Sequence, residues 1–282
     1  MRRIPGVVGA FLVCAALAGC SAGGDATPAE QPRQAAPART DSASGPETPA
    51  EFLALAEKAM AGETGWTFDV KGSEELLLPG QSSGATYAAT VRRTTGEPWA
   101  LHSTGTIRSS RGVAEPEEIY VVDGTGYVKE GAAAWAHGPL SDPGIADKVE
   151  DPVAELDTFQ GYGDTATLAE RDGQAELRVR VTSAALTAVR DQGVVQKALR
   201  ELTPTLTRLR AAGVAAPESE ITVERAEESI VLDSSTYQVT SHTFRCVLRI
   251  PYGERSIRYR QDVTVRNTGS YQGPIVLPEG VG

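Results

Sequence analysis

Alternation of apolar and polar positions dominates the chain beyond its first sixty residues. Trp66, Phe68 and Val70 alternate with polar neighbours. Tyr87, Ala89 and Val91 repeat the period, as do Trp99, Leu101 and Ser103, with Gly, Pro and Ser between the segments. A period of two turns successive side chains to opposite faces, so these segments are predicted to be half-buried strands. Glu118–Val122 and Gly126–Lys129 form a further pair across Asp123-Gly124-Thr125, since Asp-Gly accepts the positive φ of a tight hairpin turn. Alternation resumes over Glu176–Thr182, with Leu177, Val179 and Val181 on one face and Arg178 and Arg180 on the other. After Pro217 the strand pattern runs through Ile221 and Val223, Ile230 and Leu232, then Phe244, Cys246, Leu248 and Ile250. A turn at Pro251–Glu254 leads into Ile257, Tyr259, Gln261, Val263 and Val265.

A helical period interrupts this in three places. Thr48-Pro49-Ala50-Glu51 has the form of a capping box with proline in the first turn, followed by Phe52, Leu55, Ala56, Ala59 and Met60, and Gly62 ends the run. Asp151–Leu156 predicts a short helix. Ser183 to about Ala212 predicts the longest one, with Leu186, Val189, Leu199, Leu202, Leu206 and Leu209 on its apolar face and Gly193 and Pro204 as points of kinking or division. Long consecutive antiparallel strands with few helices predict an α+β fold in which helices pack on one side of a curved sheet.

The first twenty residues carry a different signal. Met1-Arg2-Arg3 precedes an apolar run from Ile4 to Leu17, the form of an export leader. The run is shorter than the roughly 20 apolar residues needed to cross a bilayer. Leu17-Ala18-Gly19-Cys20 resembles the lipobox of bacterial lipoproteins, which implies a diacylglycerol on the Cys20 thiol and a mature chain that begins there. Each buried CH₂ of an acyl chain contributes about 0.8 kcal/mol, so two or three chains anchor stably. The expected address is the outer face of the cytoplasmic membrane; Ser21 follows the cysteine, so in a diderm the choice of membrane depends on the source. The predicted organisation is a leader over 1–19, a lipidated cysteine and tether over 20–47, and a single domain over 48–282.

Composition sharpens this. Residues 21–48 are rich in Ala, Pro, Ser, Gly and Gln, too polar to repay their ordering entropy, and span about 30 Å as a flexible coil. Cys14 leaves with the leader and Cys20 carries lipid, so Cys246 has no partner for an intramolecular disulfide. The formal charge is −10, and losing Arg2 and Arg3 takes it to −12. So acidic a chain lacks the basic footprint of a nucleic-acid binder and has no overall pull toward anionic lipid, which leaves the anchor as its membrane contact.

Three segments resemble one family. Glu118-Ile-Tyr-Val-Val-Asp-Gly-Thr-Gly-Tyr-Val-Lys129 followed by Trp135, Ser229-Ile-Val-Leu-Asp-Ser-Ser-Thr-Tyr237, and the ending Gly273-Pro-Ile-Val-Leu-Pro278 are similar to elements of LolA/LppX-type lipoproteins, over about Thr48 to Val281. The resemblance implies an incomplete β-barrel, a strongly curved antiparallel sheet whose concave face is covered by helices and encloses a cavity for acyl chains of a lipid, glycolipid or lipoprotein. It also admits sensors that bind protein regulators, and it brings no catalytic residues.

No constellation of reactive residues emerges. Gly80-Gln81-Ser82-Ser83-Gly84 has the letters of a nucleophile elbow, but Pro79 precedes it and strand pattern follows, so it reads as a hairpin loop. His102, His137 and His242 lack metal-ligand spacing and read as ordinary surface or strand histidines. Asp142, Asp147, Glu150, Asp151, Glu155 and Asp157 lack calcium-loop spacing and read as a solvated acidic segment. Arg245, Arg249, Arg258, Arg260 and Arg266 would lie on the wet face of two strands, and Cys246 reads as a small buried apolar residue. The candidate ligand wall is the inward set Phe68, Tyr87, Leu101, Leu177, Val179, Val181, Phe244, Leu248, Tyr259 and Val263, equally suited to a filled core. The expected function is a membrane-tethered protein that binds or carries a lipid or other amphiphile, with no catalysis, cofactor or metal. The alternative is an envelope protein-interaction or sensing module with a closed core.

Overall fold

The computed structural model describes residues 45–146, 148–214 and 216–281; the leader, Cys20 and most of the tether lie outside them. Thr48 starts the first helix, α1 (Pro49–Ala61): the Glu51 amide donates to its hydroxyl at 3.3 Å and the Thr48 amide donates back to the Glu51 carboxylate at 3.1 Å. The helix buries Phe52, Leu53, Ala56 and Met60. Trp66 Nε1 donates to the Met60 carbonyl at 2.7 Å, which fastens the end of α1 to the first strand.

Six strands follow as a meander: β1 (Gly65–Leu78), β2 (Gln81–Thr94), β3 (Leu101–Ser109), β4 (Ala114–Val122), β5 (Thr125–Glu130) and β6 (Ala136–Pro139). Two short helices, α2 (Pro143–Ala146) and α3 (Glu155–Gln160), lead to β7 (Thr167–Arg171) and β8 (Gln174–Ala185). After α4 (Leu186–Val189) and α5 (Gly193–Ala211), the chain closes with β9 (Thr222–Asp233), β10 (Val239–Tyr252) and β11 (Arg255–Ser270). All pairings are antiparallel, in the order β6-β5-β4-β3-β2-β1-β11-β10-β9-β8-β7. Two meanders are thus joined where β1 lies against β11, paired from Trp66↔Ser270 to Leu77↔Arg258 with a register shift between Thr67 and Phe68. β6 and β7 are not paired with each other, so the sheet is a curved α+β half-barrel that does not close.

The pleat sorts the faces as the alternation requires. One inward row crosses the sheet as Tyr87, Gly72, Val263, Phe244, Glu228 and Val179, and α5 packs over its β8–β9 end. The outward face carries Arg245, Arg249 and Arg258, paired with Asp262 at 2.7 Å and with Glu224 at 3.9 and 2.6 Å respectively. Arg260 and Arg266 share that face and are exposed. Exposed pairs of this kind contribute little each.

Several local expectations change. Asp123 and Gly124 alone form the hairpin turn, with φ of 50° and 74°, because Thr125 already pairs with Val122. Trp99 lies outside β3 and sits against the Arg93 guanidinium, 5.0 Å from the ring centre. Ser183–Ala185 belong to β8, where Ala184 and Ala185 pair with Val223 and Thr222, rather than to the long helix. Helix α3 begins only at Glu155, and residues 273–278 form no strand. Gly193 divides the helical tract for a steric reason. A Cβ there would stand 2.7 Å from the buried Tyr162 ring, so only glycine lets α5 start flush against it.

Replacing that glycine adds the crowding of an overpacked site, roughly 1–3 kcal/mol, against a helix-propensity gain of up to about 1. Gly193→Ala is therefore expected to lower the urea unfolding midpoint; an unchanged or higher midpoint contradicts this contact.

Candidate functional site

The inward face leaves an open groove between the sheet, α5 and the Val149–Glu155 segment. Its first hollow, about 350 Å³, has a floor of Phe244, Val263, Val265 and Gln261, and walls that include Val149, Glu150 and Glu201. A second hollow of about 300 Å³ adjoins it, sharing Glu150, Gln261 and Val263, and is lined by Gly72, Tyr87, Ile107 and Glu117. Of the ten residues expected to form a ligand wall, Tyr87, Phe244 and Val263 border the groove. Phe68, Leu101, Leu177, Val179, Val181, Leu248 and Tyr259 do not; they are buried in the continuous apolar core. Alternation placed all ten on the inward face, but helices cover only part of that face and fill it where they do.

One end of the groove is closed by a buried ionic cluster. Glu228, on β9, has no solvent exposure. Its carboxylate accepts from Lys197 Nζ of α5 at 2.8 Å, from His242 Nε2 of β10 at 2.6 Å, and from the Tyr162 hydroxyl. Lys197 also donates to Glu155 at 2.6 Å and stands 5.2 Å from the centre of the Phe244 ring. Burial alone would raise the Glu228 pKa, but the His242 hydrogen bond and the Lys197 charge together hold it well below the usual carboxylate range. Burial likewise disfavours the Lys197 ammonium, and Glu228 and Glu155 outweigh it, so its pKa is raised.

His242 is therefore not the isolated strand histidine that spacing suggested, nor is the acidic segment wholly solvated: Asp151 pairs with Arg93 at 3.0 Å with both side chains largely buried, and Glu155 belongs to the cluster. Glu155, Glu228 and His242 bring ligand atoms within 4.8 Å of one another, a spacing suited to a metal ion. Lys197 already supplies the positive charge between the two carboxylates, so the donor set as arranged fits an ammonium. Neither histidine spacing nor alternation could reveal this cluster, because its members come from β9, β10, α3, α5 and the turn at Tyr162. The available signal was Glu228 itself, a carboxylate at an inward strand position.

The groove's remaining carboxylates are held differently. Glu201 accepts from Gln261 Nε2 at 3.0 Å, and Glu74 accepts from the Thr205 hydroxyl at 2.7 Å. Glu117 is only 8% exposed, and burial raises its pKa. Glu150 is exposed and lines both hollows. Desolvation, then repulsion from Glu201 and Glu155, pushes its pKa up to about 7. Burial also pushes the Cys246 thiol far up, the state of an inert core thiol. Ser82 lies exposed on β2 after the Pro79–Gly80 turn, so the Gly80–Gly84 motif joins two strands rather than a strand and a helix.

No protein-family model matches the chain, and no curated protein matches it. Solved structures give remote similarities. Rv2717c from M. tuberculosis is 12% identical, over 79% of this chain and 99% of that one, with a TM-score of 0.23. A DUF1329 family protein from Desulfovibrio piger is 9% identical over 78% and 93%, with a TM-score of 0.27. A β-barrel-like DUF1849 protein from Brucella abortus is 11% identical over 71% and 98%, at 0.21. With TM-scores this low the similarities carry no argument, and the half-barrel rests on this chain's own strand order.

The cluster and the groove predict opposite pH behaviour. A depressed carboxylate stabilises above its unfolded pKa, near 4.5 for Glu228, and the contribution fades as pH falls toward the folded value. Glu228→Gln is expected to cost about 3 kcal/mol at pH 7, as for removal of one partner from a buried pair, and progressively less as pH falls below 4.5; a constant difference across that range contradicts the assignment. A raised carboxylate does the reverse, destabilising as pH rises from 4.5 through about 7. Glu150→Gln should therefore stabilise at pH 8, by no more than about 1 kcal/mol after solvent screening, and be neutral at pH 4, as read from unfolding midpoints.

Proposed function

We propose that this chain is an exported lipoprotein, anchored at the outer face of the cytoplasmic membrane through lipid on Cys20, that holds a lipid or another amphiphile on the concave side of its half-barrel and does no chemistry on it. The observation that carries the reading is the two-part groove, in which an apolar floor of Phe244, Val263 and Val265 runs into a polar rim of Glu150, Glu201 and Glu117. Small-molecule sites usually combine mostly apolar walls with a few placed polar groups, in volumes of roughly 300–1,000 Å³. The first hollow lies at the lower end of that range, which suits one short chain better than a bundle of acyl tails. A ten-carbon chain contributes about 8 kcal/mol gross on burial, and association costs at least about 4. The apolar floor alone therefore supports only about millimolar affinity, and the rim decides what is retained.

A second reading, an interaction or sensing module with a closed core, is favoured by the seven inward residues that pack as core. In that reading the groove is solvent space, and an envelope protein meets the strands or the outer arginines.

Native mass spectrometry of the chain, extracted from envelopes in mild detergent, separates these readings. The proposal expects two added masses: a covalent one at Cys20 that survives denaturation, and a second one, a lipid or other amphiphile, that leaves in organic solvent. No covalent mass rules out the anchor; no releasable mass, even after incubation with envelope lipids, rules out the amphiphile site and turns the search to a protein partner.

A further inference from the structure

Charge is distributed unevenly around the groove. Lys197 is committed to Glu228 and Glu155, Arg93 to Asp151, and Lys148 to Glu130. Arg208 is 3.9 Å from Glu74. Arg200 borders the first hollow only, on its exposed side. Among the described residues no cation pairs with Glu117, Glu150 or Glu201, and Glu150 borders both hollows.

Glu117 is the informative member. It projects from β4 into the second hollow at 8% exposure. Against burial, the charge of Lys148, which lines the same hollow, and then the Tyr87 hydroxyl favour its anion. Lys148 is bonded to Glu130 and the Tyr87 hydroxyl lies 3.4 Å from Ser103 Oγ, and neither comes within ion-pair or hydrogen-bond distance of Glu117. A carboxylate removed from water is costly unless it is paired and hydrogen-bonded, and the chain's own cations next to this one are already used. Glu150 faces the same space across the hollow, and the two influence each other's titration. The apolar floor lies alongside, from Val263 to Phe244.

Resting on the amphiphile reading above, we infer that the ligand has a cationic end, a protonated amine or other organic cation, which sits between Glu117 and Glu150 while its apolar part lies along Val263 and Phe244. Such a group brings a positive charge with N–H donors to two carboxylates that, among the described residues, no cation pairs with. The same arrangement works against an anionic headgroup: a phosphate placed there meets Glu117 and Glu150, and the lysine that lines the hollow, Lys148, is already bonded to Glu130. Selectivity then comes as much from repulsion of the wrong charge as from attraction of the right one.

The test compares two probes of equal chain length, decylamine and decanoate, by calorimetric titration of the purified chain at pH 8 below their micelle concentrations. The amine is expected to bind at least tenfold more tightly. Glu117→Gln and Glu150→Gln should each weaken the amine at least threefold, in proteins that unfold at or above the wild-type temperature, and leave decanoate unchanged or tighter. Raised salt should weaken the amine and spare decanoate. Equal or tighter binding of decanoate overturns the cationic assignment and leaves the amphiphile site standing, as does an amine affinity insensitive to both substitutions. Binding of neither probe overturns the assignment and the amphiphile site together.

Discussion

Glu228 places a carboxylate on the sheet where no water reaches it, and whatever packs against that point has to supply its donors. Lys197 does so from α5, His242 from the neighbouring strand and Tyr162 from the turn before β7. Each brings its own element with it. The price of burying the charge is several kcal/mol before any partner is counted, so an arrangement missing one donor is strongly disfavoured. The cluster therefore acts less as a source of net stability than as a registration device, fixing where α5 crosses the sheet. Gly193 belongs to the same constraint, since the Tyr162 ring reaches Glu228 only if the start of α5 carries no side chain.

The groove follows from that placement. With α5 held over β8 and β9, the helices fill the concave face at that end, and Leu177, Val179 and Leu248 become solid core. Farther along the same sheet α5 reaches β11 and β1 through the Glu201–Gln261 and Thr205–Glu74 hydrogen bonds, and Val263, Gly72 and Tyr87 line the groove beside them. One curved sheet thus contains both a filled part and an open part, and the Glu228 cluster closes the groove at the filled end. On the open side Glu117 and Glu150 have no cation within pairing distance among the described residues, and Lys148, which lines the second hollow, is bonded to Glu130. Glu150 in particular is held in surroundings that disfavour its charge, the kind of local cost that functional sites often carry.

Much of the architecture was legible because it depends on local chemistry. The Thr48–Glu51 capping box, the Asp123-Gly124 turn and the alternation in β8, β10 and β11 each have a short-range cause, and the structure forms them where the residues indicate. Boundaries failed where tertiary pairing overrode propensity: Ser183–Ala185 have helix-compatible residues, yet Ala184 and Ala185 complete a ladder with β9. Alternation gives the face of a residue but not what covers it, so groove and core residues looked alike. The ionic cluster was hidden for a further reason: its polar residues interrupt the apolar pattern, and the partners of Glu228 lie 14 to 66 positions away, from His242 to Tyr162.

The central claim is that the open half of the concave face, and no other surface, receives an amphiphile. Methyl NMR during titration with a short-chain amphiphile tests it directly. The account predicts concentration-dependent shifts at Val149, Val263 and Val265, which line the groove, with Leu177, Val181 and Leu248 in the core and Val247 on the outer face unmoved. Shifts confined to the outer face, or none at the groove methyls at saturating ligand, contradict it.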